Sequence, residues 1–89
     1  MDKLSLCVFT TRKVIIEQAP ILRVIYDEDG FLQFFAGEDF ATSDNAMIVS
    51  LGEILQIDSS LQSIINSLSI GQTAYRKDVQ SSWIVKESL

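Results

Sequence analysis

Val24-Ile25-Tyr26-Asp27-Glu28-Asp29-Gly30-Phe31-Leu32-Gln33-Phe34-Phe35 reads as a β-hairpin. Two runs rich in β-branched and aromatic residues flank a turn in which Asp29-Gly30 can supply the two positive-φ positions of a tight connection. A two-residue turn there sets Val24 opposite Phe35 and Ile25 opposite Phe34, so that apolar pairs form on both faces. A longer loop over Asp27 to Gly30 pairs Val24 with Gln33, a poorer match. A hairpin apolar on both faces belongs in the middle of a sheet, with helices on one side and another cover, such as a partner, on the other.

Working outward, Pro20 ends the preceding segment and admits the strand Ile21 to Tyr26. Before it, Leu4 to Phe9 reads as a first strand, and Thr10-Thr11 offers an N-cap for a short helical turn from Lys13 to Glu17. In that strand Cys7 is expected to be a small buried hydrophobe. After Gly37, Glu38 to Asn45 reads as an acidic, polar loop and Met47-Ile48-Val49 as a short extended piece. Ser50-Leu51-Gly52-Glu53 is a capping box, with Val49 and Ile54 placed as its hydrophobic staple. Leu61, Ile64, Ile65 and Leu68 recur at helical spacing in a second helix capped by Asp58 or Ser59. Strands over Gln72 to Lys77 and Ser82 to Lys86, joined by a polar loop, complete the chain. The expected fold is α+β: an antiparallel sheet of four or five strands with two short helices on one face, in one domain spanning 1–89.

Charge is segregated along the chain. Between Arg23 and Arg76 there is no Lys, Arg or His, whereas Asp27, Glu28, Asp29, Glu38, Asp39, Asp44, Glu53 and Asp58 all lie there. This segment is therefore formally −8, its flanks sum to +3, and the 89-residue chain carries −5. Such a field repels phosphate and favours a basic protein surface, so nucleic acid is not an expected partner. Arg12-Lys13 and Arg76-Lys77 read as ordinary surface. Apolar runs are far short of the roughly 20 residues that span a bilayer, and no secretory signal is evident. With one cysteine there is no internal disulfide, and a cytoplasmic location is expected.

Catalytic patterns fail on inspection. The chain has no histidine, which removes Cys–His and Ser–His pairs. The glycines at 30, 37, 52 and 71 are too dispersed for a phosphate loop. Asp27-Glu28-Asp29-Gly30 is no EF-hand, because Ile25 and Ala36 occupy positions that must ligate. Adjacent acids at a turn are a poor match to the paired carboxylates of glycosidases. The expectation is a protein that is not an enzyme and needs no metal or cofactor. Phe40, framed by acids, suits an interface anchor, and Trp83 reads mainly as a strand residue packed on the sheet.

Several pieces, in order, resemble a bacterial family known as domain of unknown function 2185, or the immunity protein 33-like family. They are Cys7-Val8-Phe9, Ala19-Pro20-Ile21, Asp29-Gly30-Phe31-Leu32-Gln33-Phe34-Phe35-Ala36-Gly37-Glu38-Asp39, Ser50-Leu51-Gly52-Glu53-Ile54-Leu55, Asp58-Ser59-Ser60-Leu61 and Gly71-Gln72-Thr73-Ala74-Tyr75-Arg76-Lys77. Here the hairpin lacks the long acidic insertion common in that family, Phe31 stands where Trp is usual, and Ser59 where Pro is common. The resemblance implies a small cytoplasmic partner that neutralises a toxin domain of a polymorphic toxin system. Joined to the charge pattern, it gives the expectation of stoichiometric occlusion of a basic toxin through Asp27, Glu28, Asp29, Glu38, Asp39, Phe40 and Asp44, without nucleic acid or membrane. The alternatives are a self-associating structural module, seen as a homodimer, and a sensor of a metal or small ligand.

Overall fold

The computed structural model describes residues 3–37 and 45–87. The described chain opens with a 3-10 turn at Lys3–Ser5, followed by strand β1 (Cys7–Thr11) and helix α1 (Arg12–Ile15). The hairpin strands β2 (Arg23–Tyr26) and β3 (Leu32–Phe35) come next. Strand β4 (Ala46–Ser50) leads into helices α2 (Leu51–Ile57) and α3 (Leu61–Ser67), and β5 (Gln72–Tyr75) and β6 (Ile84–Glu87) end the chain. The six strands form one sheet in the order β4-β1-β3-β2-β5-β6. The fold is therefore α+β as expected, with six strands instead of four or five. The sheet is mixed, because β1 runs parallel to β3 while every other neighbour is antiparallel.

The hairpin occupies the two central positions, but its register is neither of those expected. Val24 faces Phe34 and Ile25 faces Gln33. Asp27 and Phe31 close a three-residue loop, with the Asp27 amide donating to the Phe31 carbonyl at 3.0 Å and the Gly30 amide to the Asp27 carbonyl at 3.0 Å. Gly30 alone of these takes a positive φ, +88°, the pattern of a turn followed by a left-handed residue and not of a two-residue loop. A one-residue slip changes which side chains share a face. Phe34 and Val24 therefore go to the core together, and polar Gln33 lies on the opposite face beside Ile25.

That core face is a continuous apolar row. Val24 lies between Phe34 and Ala74, all three fully buried, and Val8 adds to them from β1. Leu51 and Ile54 of α2, with Leu61, Ile64 and Leu68 from α3 and its C-cap, cover the row. Burying an aliphatic or aromatic side chain contributes about 1.5–3 kcal/mol, so this layer supplies most of the folding drive. Of the expected capping box, the N-cap half is seen: the Glu53 amide donates to the Ser50 hydroxyl at 3.2 Å. Strand β1 begins three residues later than expected, because its pairing with β4 from Cys7↔Ser50 to Thr11↔Ala46 is what makes it a strand. Thr10 then faces the core, and its hydroxyl donates to the Phe34 carbonyl at 2.9 Å. Cys7 is exposed, correcting its expected burial.

Candidate partner-binding surface

The site begins at the β2–β3 turn. The Asp27 carboxylate accepts the Asp29 and Phe31 amides at 2.9 and 3.0 Å through one oxygen and the Gln33 side-chain amide at 2.8 Å through the other. Partial burial on its own raises this carboxyl, but the donated hydrogen bonds from Phe31, Gln33, Asp29 and Gly30 outweigh it and hold the group below its ordinary 3.8. Asp27 is thus the organiser of the turn. Its neighbours Glu28 and Asp29 project into solvent.

Immediately beyond the turn, Phe31 is half exposed (49%) and its ring meets Phe9 edge-on, with centroids 5.6 Å apart and planes at 79°. Phe9 is paired across the ladder with Ile48, which is 64% exposed. These three apolar side chains lie on the face opposite α2 and α3, since Val8, Leu32 and Val49, their neighbours in sequence, point into the core. Farther along the same face, the Arg23 guanidinium lies 4.9 Å from the Phe35 ring centroid and the Lys86 ammonium 5.5 Å from that of Tyr75. Arg23 sits at the end of β2 away from the turn and Lys86 on β6, whereas Glu28 and Asp29 sit at the hairpin tip.

Of the residues expected to bind a partner, Asp27, Glu28 and Asp29 come together at this tip, whereas Glu38, Asp39, Phe40 and Asp44 lie outside the described residues. The aromatic beside the described acids is Phe31. Its outward position follows from alternation with buried Leu32, a signal present in the sequence. Its contact with Phe9 depends on the parallel pairing of β1 with β3, which no local pattern announces.

In the sheet, β3 and β2 separate β1 from β5. Arg76 is not ordinary surface: its side chain is only 3% exposed and bonds Asp58 at 2.8 Å. One carboxylate of the acidic segment is thereby neutralised. Burial pushes the Asp58 carboxyl up, while hydrogen bonds from Ser60 and Arg76 together with the Arg76 charge bring it below 3.8. Among the described residues, no group of three or more His, Cys, Asp and Glu side chains is placed to hold a metal ion. A cleft of about 250 Å³ between Leu6, Tyr26, Leu32, Leu51 and Leu68 carries no charged lining residue. No helix among the described residues is long and apolar enough to cross a membrane. No family model, curated protein or solved structure matches this chain.

Proposed function

We propose that this chain is a non-catalytic, immunity-type binding protein that neutralises a basic toxin domain by stoichiometric occlusion. The observation that carries the reading is the hairpin tip. Two solvent-facing carboxylates, Glu28 and Asp29, adjoin an exposed aromatic, Phe31, which is braced on Phe9. An aromatic anchor beside exposed acids is the composition that lets complementary charge select and steer a partner while apolar contact holds it. Residues 24–75 carry a formal −8, of which Asp58 is matched by Arg76, and the resemblance to the immunity protein 33-like family suggests the class of target.

The test is to read the genes that neighbour this chain's own and to co-express the chain with a basic toxin domain found there. Wild-type chain restores growth and forms a one-to-one complex with that domain, and the triple variant Glu28→Lys, Asp29→Lys, Phe31→Ala does neither while remaining folded. Unchanged protection by the triple variant overturns the assignment of the surface. Absence of protection by the wild type overturns the function.

A further inference from the structure

The geometry points to β4 as a self-pairing edge, through which two copies of this chain join into one continuous sheet around a two-fold axis at Ile48. Among the described residues no strand lies beyond β4. It pairs with β1 without a bulge over its whole length, and the register extends past both ends: the Leu51 amide donates to the Leu6 carbonyl at 2.8 Å and the Arg12 amide to the Asn45 carbonyl at 2.8 Å. In an antiparallel ladder the residues that bond across the pair alternate with those that do not. Since Asn45 and Leu51 bond toward β1, Met47 and Val49 do so too. The amide and carbonyl of Ile48, the Ala46 carbonyl and the Ser50 amide are therefore aimed away from β1, at the open side of the sheet.

This outward set is self-complementary. Ala46-Met47-Ile48-Val49-Ser50 is nearly palindromic in size and polarity about its centre. With Ile48 of each copy opposite the other, each Ile48 amide meets the other's carbonyl, and each Ser50 amide meets the other's Ala46 carbonyl. Residues 48 lie on the same face in both copies, so the axis is perpendicular to the sheet and the helices of both copies stay on one side. The exposed Ile48 side chains then bury one another beside Phe9. On the helix side, Met47 of one copy meets Val49 of the other. The strand carries none of the usual guards against such pairing: it has no charge, proline or bulge.

The opposite edge supplies the contrast. The bond from the Arg76 amide to the Leu22 carbonyl makes Ala74 face β2 and Thr73 and Tyr75 face β6. Only Val85 and Glu87 of β6 then present outward groups, and Lys86 and Glu87 charge that edge. An edge so charged favours solvent over another strand.

Sedimentation velocity from about 1 to about 100 µM tests the pairing. The wild type sediments as a dimer over the upper part of this range. Because each copy carries net −5, its association tightens as salt is added, the reverse of binding to a basic partner. Ile48→Lys sets two like charges across the axis without disturbing a buried position, and raises the dissociation constant at least about tenfold. The matching change on the other edge, Val85→Lys, leaves it unaltered. In a Cys7→Ser background, Ile48→Cys forms an intermolecular disulfide on mild oxidation, because bonded antiparallel partners have Cα atoms about 5.5 Å apart, within disulfide reach. A wild-type chain that stays monomeric throughout overturns the inference. So does a dimer indifferent to Ile48→Lys, or one cross-linked by Val85→Cys and not by Ile48→Cys.

Discussion

The Arg76 guanidinium donates to the Ile21 carbonyl at 2.8 and 3.1 Å, bonds Asp58 at 2.8 Å and lies 4.4 Å from the centroid of the Trp83 ring. One side chain thereby joins the segment before β2, the turn between α2 and α3, and the residue that precedes β6. Trp83 packs against the core as expected, though just before β6 and not within a strand, and its ring meets a cation that reads as surface, because nothing local to Arg76-Lys77 signals burial. Asp58→Asn removes the charge partner while leaving the other contacts, so its cost falls below that of an isolated buried charge: about 2 kcal/mol in urea unfolding at neutral pH. The sign of the pH dependence follows from the lowered Asp58 carboxyl. A carboxylate held below its unfolded value of 3.8 contributes its full stabilisation above that pH, and the contribution is lost as pH falls through the still lower folded value. Acid unfolding of the wild type should therefore steepen below about pH 4, and Asp58→Asn should lessen that slope. An equal slope in both proteins would place the acid sensitivity elsewhere, with Asp27 the next carboxyl to test.

At the scale of elements, the turn of the central hairpin is where register is set. Gly30 and Gly37 both have open space where a Cβ would stand, but only Gly30 has a positive φ. Gly30→Ala is therefore a conformational change without a clash, and should cost about 1–2 kcal/mol, whereas Gly37→Ala should be nearly neutral by thermal unfolding. Equal effects at the two positions would contradict the three-residue loop. The Ser50 N-cap and the period of Leu61, Ile64 and Leu68 were legible because both depend on neighbours within one or two turns. The hairpin itself was legible, but its register was not: the Asp27 carboxylate binds the Asp29 and Phe31 amides across the loop, and that side-chain bonding favours a three-residue connection over the two-residue turn that cross-strand apolar pairing alone suggests. Strand β1 shows the same limit from another side. Leu4 and Leu6 resemble strand residues as well as Val8 does, yet they are exposed, and the boundary is set by β4, some forty residues distant.

For the molecule as a whole, the sheet is covered by α2 and α3 on one face and presents Phe31, Phe9 and Ile48 on the other, so charge and apolar contact at the proposed surface are separable. Glu28 and Asp29 are exposed and belong to a net −5 chain; their field acts during approach, over about 8–10 Å at physiological salt. Phe31 acts only at contact. Neutralising the pair as Glu28→Gln, Asp29→Gln should slow association with the basic domain severalfold and reduce its dependence on ionic strength, with little change in dissociation. Phe31→Ala should leave association and its salt dependence nearly as they are and speed dissociation about tenfold or more, the behaviour of an interface anchor. Half exposed as it is, Phe31 contributes little to folding, so thermal unfolding of that variant should stay close to wild type. Stopped-flow association at two salt concentrations, with dissociation by competition, separates the two effects. If both variants altered only dissociation, the carboxylates would be in direct contact with the partner and not steering it. If neither altered either rate, the partner would dock elsewhere on the molecule, with the charged edge at Lys86 and Glu87 the first alternative to mutate.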